Sequence, residues 1–470
     1  MTRDRRLRVP LGWFFLALLL GNFASLPVRG DEVSSASPRL KDQQAARVIS
    51  DNTKAEKNLG QNAEKWTVKG SLRFRYEFTD NYDRKSFGTG GDDGFLLGRL
   101  LLNFGYRFDD RTRAALEFQD ARVWDSNFSA KDDGYRSPDR NPLDVRQAFI
   151  EYKGGKRSRL GWKVGRQTIS YGDNRIMGPG EWGNVGNYLW DAAVLKFRGN
   201  SGPIDAFFAR RVRPDSRPWR LDTDHYDFAM SGIYATLRQK PALVDLFFIH
   251  KEGDSPWVCG GNRIERERRN TLGLRIDGKV DRRFDVGGLY ARQDGTWGTR
   301  KIRSYAWNGR LGYTFDTPWR LRIGGEIAYA SGDDNPKDNV HSTFDSVFGA
   351  RDKLYGRMNL LGWSNLDDRL LTLKVTPTPK LDVMLDYHFF RLAEARDCWY
   401  YSPSKSQGRD PTGAAGRDLG RECDLILDSR LSQNTSLTAI FGVFQPGTFC
   451  ERIGKDGDAR WGCLQATLSF

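Results

Sequence analysis

Long apolar runs are scarce in this 470-residue sequence. Apart from residues 11–20, charges or glycines interrupt every apolar stretch, and the mean hydropathy is −0.63. A membrane-spanning helix needs ~20 consecutive apolar residues, so the chain is predicted to be either soluble or a membrane β-barrel. Its 50 glycines, 13% aromatic residues and 29% charged residues favour the barrel, because only alternate side chains of a barrel strand meet lipid.

Cysteine and histidine are also scarce. The five cysteines form no CxxC pair and the four histidines are scattered, so we predict no metal site and no cofactor. Asp386 and His388 share one face of a predicted strand, but no serine or cysteine is spaced to act with them as a nucleophile. We therefore expect no catalytic residues and no enzyme activity.

The first 30 residues have the pattern of an export signal. Four arginines precede the apolar stretch 11–20, which is too short to be a membrane anchor, and small residues follow it. Cleavage after Gly30 would leave Asp31 as the mature N-terminus. Residues 31–65 are polar and have no strand period, which predicts a periplasmic segment in front of a barrel domain at 66–470.

The clearest predicted strand is residues 66–78, where apolar and polar side chains alternate. Such alternation also suits one strand of a soluble sheet, so repetition is the stronger observation. Similar segments, near the ~10-residue length of a tilted membrane strand, recur along the chain and predict an even number of strands. With the first, the 18 predicted strands include residues 96–108, 112–124, 144–153, 160–171, 189–198, 204–211, 227–237, 242–251, 269–280, 284–295, 301–314, 319–331, 366–376, 381–392, 422–431, 436–444 and 461–470.

The connections between these strands alternate between short and long. Outer-membrane barrels have short periplasmic turns and longer outside loops, so this alternation predicts an all-β fold, an antiparallel transmembrane β-barrel. The predicted outside loops include residues 79–95, 252–268 and 332–365, and the connection 296–300 is an exception because it is short. The last predicted strand ends on Phe470, an aromatic residue of the kind read by the outer-membrane assembly machinery, which is an expected partner.

All five cysteines fall in or beside predicted outside loops, which face an oxidising environment. We expect one disulfide between Cys398 and Cys423 and another between Cys450 and Cys463, because each pair would close the base of one long loop. Cys259 is then left free. The sequence alone does not fix the connectivity.

The chain is basic, with a formal charge of +14. Residues 1–30 contain five arginines and one aspartate, a charge of +4, so the mature chain carries +14 − 4 = +10. A basic excess is typical of proteins that bind nucleic acid, anionic lipid or an anionic solute. The distribution of the charges decides among these partners.

Many of the basic side chains face the lumen if the aromatic face of each strand meets lipid. Arginine offers a planar, two-pronged donor for carboxylates, so a surplus of guanidinium groups in a narrow pore would concentrate acidic solutes, although some must form ion pairs across the wall. Arg146 belongs to this set only if its strand starts irregularly, and strict alternation places Arg166 on the Trp162 face. The predicted pore-lining residues are Arg73, Arg75, Arg99, Arg113, Arg146, Lys163, Arg166, Arg175, Arg275, Arg310, Arg322, Glu117, Glu151 and Glu326.

Two blocks of sequence resemble the alginate export family of outer-membrane porins. The first contains VGRQ at 164–167, YGDNR at 171–175, WGNV at 182–185 and WDAA at 190–193. The second contains FDSVFG at 344–349, KLYG at 353–356 and GW at 362–363. Similar proteins often carry histidine where this chain has Asp352, so the resemblance does not imply the same solute.

The resemblance, which extends over residues 66–470, implies passive passage of an anionic uronate polymer through an arginine-lined pore. Outer-membrane lipid and an anionic polysaccharide or oligosaccharide are then the expected partners, and nucleic acid is not. The alternatives are a general or small-anion porin, an outer-membrane enzyme, and a surface adhesin.

Overall fold

A computed structural model describes residues 65–470 except 84–85, 128–136, 156–157, 187, 218–225, 240, 258, 260–262 and 336. The predicted export signal and residues 31–64 lie outside the described residues, so both stay predictions. Within the described part of the chain, no helix is long and apolar enough to cross a membrane.

Long antiparallel strands make up most of the described chain. The barrel strands are β1 (Trp66–Asp83), β2 (Ser86–Arg107), β3 (Thr112–Trp124), β4 (Asn141–Tyr152), β5 (Leu160–Gln167), β6 (Leu189–Gly199), β7 (Gly202–Val212), β8 (Tyr226–Gln239), β9 (Ala242–Trp257), β10 (Arg263–Lys279), β11 (Phe284–Trp297), β12 (Arg300–Thr314), β13 (Arg322–Ala330), β15 (Leu366–Thr378), β16 (Leu381–Leu392), β19 (Asp418–Arg430), β20 (Thr435–Pro446) and β21 (Ala459–Ser469). The shorter elements are β14 (Val340–His341), β17 (Cys398–Ser402), β18 (Lys405–Arg409) and the helix α1 (Thr448–Arg452).

These strands pair in chain order and close on themselves. Each barrel strand pairs antiparallel with the next, β13 directly with β15 and β16 directly with β19. β1 pairs both with β2 and with β21, which closes the sheet. The main chain of Phe470 bonds that of Gly70 in both directions, so the closure extends to the last residue. The prediction of an 18-stranded antiparallel barrel is confirmed.

The two faces of the wall differ as the alternation predicts. On β1, Phe74 is 44% exposed on the outside, whereas its neighbour Arg73 is 4% exposed on the inside. We call the end of the barrel that carries the tight turns the turn end. There Trp66 and Tyr106 pack on the outside of the barrel, with ring centroids 4.6 Å apart. Aromatic side chains at the edge of an apolar band are typical of the membrane interface.

The opposite end of the barrel, which we call the loop end, contains more strand than predicted. β1 continues to Asp83 and β2 begins at Ser86, so the predicted loop 79–95 is mostly paired strand. β9 and β10 likewise shorten the predicted loop 252–268. The sequence prediction missed these extensions because a strand that projects beyond lipid needs no regular apolar face, so alternation no longer marks it.

Two connections fold into the barrel. We call residues 168–186, between β5 and β6, the first inner segment, and residues 342–365, before β15, the second inner segment. Main-chain bonds join them, since Phe348 N–H donates to the Ile176 carbonyl at 3.1 Å and Ala350 N–H to the Asn174 carbonyl at 2.8 Å. Both also bond to inward-facing side chains of the wall, so they narrow the lumen.

The predicted disulfide pairs were wrong. Cys259, between β9 and β10, is bonded to Cys398 at the start of β17, with Cα atoms 5.8 Å apart. Cys423, Cys450 and Cys463 are free thiols. Closeness in sequence suggested bonds that close one loop at its base, but the fold brings two different connections together at the loop end.

Candidate functional site

Three wall arginines hold the first inner segment. Arg73 donates to the carbonyls of Trp182 at 3.2 Å and Gly183 at 3.0 Å. Arg75 donates to the Trp182 carbonyl at 2.8 Å, and Arg99 to the Gly183 carbonyl at 3.2 Å. A carbonyl oxygen has no net charge, so these bonds position the segment and leave the charge of the arginines in place.

Few carboxylates face this arginine cluster. Arg75 pairs with Glu77 at 2.6 Å, and the nearest carboxylate oxygen to Arg99 is on Glu181 at 3.9 Å. Arg73 has no carboxylate within the 4.0 Å of an ion pair among the residues that the structure describes. The cluster therefore has more positive than negative charge.

Arg146 joins the interior through a β-bulge. The register between β3 and β4 shifts at this residue, so it is an extra residue and points inward. Its guanidinium group donates to Glu117 at 2.7 Å and to Glu181 at 2.5 Å. This is the irregularity on which its predicted place in the lumen depended.

Arg175 connects the two inner segments to the wall. Its guanidinium group pairs with Glu326 of β13 and with Asp173 at 3.1 Å, and it donates to the Tyr355 hydroxyl at 3.2 Å. All of these partners are charged or hydroxyl groups inside the barrel. Arg175 therefore anchors the inner segments and is not open to a passing solute.

The other predicted lumen residues form wall pairs near the turn end. Arg113 and Lys196 share Glu151 at 2.7 and 2.5 Å, and Lys163 Nζ lies 3.7 Å from the ring centroid of Phe149. Three more arginines are each matched by an aspartate: Arg275 with Asp245 at 2.9 Å, Arg310 with Asp277 at 2.8 Å and Arg322 with Asp285 at 2.8 Å.

The placement of Arg166 in the pore lining was wrong. It shares the face of Trp162 and Val164, which are exposed on the outside of the barrel. Its guanidinium group pairs with Asp191 of β6 at 2.9 Å, on the same outer face. Gly165 before it has a positive φ, but the pairing with β4 and β6 runs through Arg166 without a register shift, so the side chain stays on that face.

Sequence reasoning missed a buried group that fixes the second inner segment, which we call the Asp345 cluster (Lys251, Glu267, Arg269, Gln293 and Asp345). Lys251 Nζ lies 2.7 Å from Asp345 and 3.1 Å from Glu267, which also pairs with Arg269 at 2.5 Å. The Gln293 amide bonds both main-chain groups of Asp345, at 2.6 and 3.1 Å. Alternation places the wall members inward, but nothing in the sequence shows that Asp345 folds back onto them.

Lys353 adds a basic group beside the wall arginines. Its Nζ lies 4.9 Å from the ring centroid of Trp182, and the Arg75 guanidinium carbon lies 4.6 Å from the same centroid. Burial lowers the pKa of Lys353 to about 8, so it keeps its charge at neutral pH. Burial also raises the pKa of the adjacent Asp352 carboxyl, which favours its neutral form.

Positive groups outnumber negative groups around Trp182. The basic groups are Arg73, Arg75, Arg99, Arg146 and Lys353, and the acidic groups are Glu77, Glu117, Glu181 and Asp352. This arrangement, which we call the basic constriction, can attract an anion where the inner segments narrow the lumen.

Asp386 and His388 each bond to other side chains. The His388 ring pairs with Asp368 at 2.9 Å, and Asp386 accepts the Thr372 hydroxyl at 2.7 Å and lies 3.6 Å from Arg357. Each of these groups has a structural partner within the wall or the second inner segment.

Comparisons with solved structures show the fold of bacterial porins. The chain is similar to Pseudomonas aeruginosa OccK11 (OpdR), with 14% identity, a TM-score of 0.52, and coverage of 86% of this chain and 96% of that chain. It is similar to Acinetobacter baumannii OccAB2, with 10% identity, a TM-score of 0.58, and coverage of 88% and 99%. A third similar structure is P. aeruginosa OccK2 (OpdF) in complex with glucuronate, with 12% identity, a TM-score of 0.54, and coverage of 86% of this chain and 98% of that chain.

The sequence comparisons identify the family. Among curated proteins, none matches this chain significantly. The family model described as alginate export matches residues 65–462, which includes nearly the whole barrel and both inner segments. The chain therefore belongs to the alginate export family, and its fold is that of the outer-membrane porins.

Proposed function

We propose that this protein is an outer-membrane channel that passes an acidic polysaccharide, of the polyuronate class, or its oligomers. The alginate export family supports a channel for such a polymer. The basic constriction supports an acidic solute, because a carboxylate on every sugar unit gives repeated attraction to guanidinium groups. We also propose that the chain is exported by a signal cleaved after Gly30.

One observation carries the proposal. Arg73 and Arg99 bond mainly to main-chain carbonyls of the first inner segment, and not to matched carboxylates as the arginines of the turn end do. Both guanidinium groups are buried, so they would attract an acidic solute through their charge and not by direct bonds. Such charge acts over several ångströms, because the protein around it screens it less than bulk water does.

The test is a planar-bilayer recording of the protein and of a charge-removing variant. Arg73→Gln with Arg75→Gln keeps an amide donor for the Trp182 carbonyl but removes two charges. We expect a severalfold lower anion-over-cation permeability and weaker current block by oligouronates. The effect should shrink in high salt, where the screening length falls to about 3 Å at 1 M.

The matched control is Arg122→Gln, which removes a charge from the outer face, where Arg122 pairs with Asp120 at 3.0 Å. It should leave selectivity and block unchanged. Unchanged selectivity and block in the double variant would contradict the proposal, because the constriction arginines would then serve only to position the inner segment.

The second candidate is a porin for small organic anions. It is favoured by the structural neighbours, since the OccK2 structure contains glucuronate and an OpdK structure contains vanillate, and by the two inner segments that narrow the lumen. The length dependence of block separates the candidates. A polymer channel should show block times that increase with oligouronate length, whereas a small-anion porin should respond to the monomer and not to long oligomers.

A further inference from the structure

A group of basic side chains projects from the outside of the barrel at the loop end. We call it the basic rim, and it lies on β10, β11 and β12. All of its members are exposed on the outer face: Arg266, Arg268, Arg292, Lys301 and Arg303. These residues face away from the lumen, so the channel function does not use them.

The rim starts where the apolar band of the wall stops. Leu272, Arg292 and Tyr305 form one row across β10, β11 and β12. Below that row the outward positions of β12 are Trp307 and Leu311, which are 36% and 53% exposed. Above it, toward the loop end, the outward positions are charged or polar: the basic rim residues are accompanied by Glu252 and Asp254 of β9 and by Asp294 of β11, which lies opposite Arg303. The row therefore marks the depth at which lipid chains give way to lipid head groups.

Strand length places the rim on a rigid support at that depth. β10, β11 and β12 contain 17, 14 and 15 residues, whereas a strand needs about 9–11 residues to cross the hydrocarbon. β11 ends at Trp297 and β12 begins at Arg300, so only a tight turn joins them. The rim therefore belongs to paired sheet that continues beyond the lipid chains.

Several rim charges have no acidic partner. Arg292, Lys301 and Arg303 form no ion pair among the residues that the structure describes. Arg292 lies opposite Tyr305, two residues from Arg303, which makes the two arginines diagonal neighbours about 7–8 Å apart. Arg266 and Arg268 share the carboxylate of Glu252, at 2.9 and 3.0 Å, and Arg266 also lies 3.7 Å from Asp254.

The outer face on the far side of the barrel differs. There Arg122 pairs with Asp120 at 3.0 Å, and Arg460 lies 3.7 Å from Asp80. Each of these two exposed arginines has its own acid. Five basic side chains against Glu252, Asp254 and Asp294 leave the rim with a surplus of outward positive charge.

We propose that the basic rim binds the phosphate groups of a phosphorylated glycolipid in the outer leaflet. Arginine and lysine form charge-assisted bonds to phosphate, and basic groups next to a membrane surface each strengthen binding to anionic lipid. The exposed side chains below the rim, including Leu272 and Tyr290, lie where the acyl chains of the same lipid would pack. The inference rests on the outer-membrane location in the proposed function, but it does not depend on the transported solute.

The test measures lipid binding to the full chain, folded in detergent, by native mass spectrometry. The probes are lipid A with two phosphates, lipid A with one phosphate, and inorganic pyrophosphate. The variant is Arg292→Gln with Lys301→Gln and Arg303→Gln, and the control is Arg122→Gln with Arg460→Gln. Unheated gel mobility confirms that every protein is folded before binding is compared.

We expect the rim variant to bind bisphosphorylated lipid A at least about tenfold more weakly than the parent and the control, since three basic groups are lost. The parent should prefer two phosphates to one. Equal affinity of parent and rim variant, or an equal loss in the control, would overturn the inference. Equal affinity of the parent for pyrophosphate and for lipid A would also overturn the inference, because the ligand would then be free phosphate. Conductance should be the same in parent and rim variant, so this result is separate from the test of the channel.

Discussion

Replacement of Asp345 by alanine should release the second inner segment from the wall. The Asp345 carboxylate accepts from Lys251 Nζ at 2.7 Å and from the Val347 N–H at 2.9 Å. Both it and Lys251 are buried, and the change leaves Lys251 with Glu267 as its carboxylate partner. Breaking one side of a buried pair costs about 3–5 kcal/mol, so states with this part of the segment detached should become populated.

Single-channel recording is the assay for this change. The segment narrows the lumen, so its release should give larger mean conductance and frequent transitions between current levels. Asp345→Asn should show a smaller effect, since the amide oxygen still accepts from Lys251. The matched control is Asp285→Ala, which removes an interior aspartate that pairs with Arg322 of the wall. Identical current levels and noise in Asp345→Ala and the parent would refute the reasoning that this cluster holds the segment in the lumen.

Three further predictions concern the loop end and the inner segments. Mass mapping without reduction should find Cys259 joined to Cys398, and any other partner for Cys398 would contradict the structure. Gly349→Ala should lower the midpoint of thermal unfolding, because the added Cβ would stand 1.9 Å from a carbonyl oxygen of the first inner segment. The control Gly309→Ala adds a Cβ in open space and should leave the midpoint unchanged. Equal shifts in the two variants would contradict this packing. Burial raises the pKa of the Asp333 carboxyl to about 7 in the folded protein, whereas an unfolded aspartate has a pKa of about 3.9. The unfolded chain therefore loses this proton at lower pH, and the folded state becomes less stable as the pH rises between the two values. Asp333→Asn should therefore raise the unfolding midpoint at about pH 8 and change it little at about pH 4, and an equal change at both would contradict the shifted pKa.

The barrel could be predicted from the sequence because alternation is a local property of each strand. Phe74 and Arg73 on β1 show the lipid-facing and lumen-facing positions without knowledge of any neighbour. The prediction was weakest where lipid no longer selects side chains, as at residues 79–95, which are polar but paired. There the strands are held by main-chain pairing and by contacts with distant residues, such as the packing of Phe87 against Trp399 and Phe444, which the local sequence does not reveal.

The site was predictable only for side chains on regular strands. The inward positions of Arg75 and Arg99 follow from alternation, but their bonds to the first inner segment depend on a fold of residues far away in sequence. Arg146 requires a bulge, which periodicity can allow but not locate. The place of Asp345 and the partner of Cys398 are likewise long-range contacts, and no local pattern encodes them.

The most direct test of the account is the reversal potential of the reconstituted protein under a KCl gradient. The basic constriction has more positive than negative groups, so the account predicts a reversal potential of the sign that indicates preference for chloride. Block by oligouronates should come from the same charges, but the sign of the potential requires no knowledge of the solute. A potential that indicates preference for potassium, or no preference, would contradict the claim that uncompensated arginines line the path.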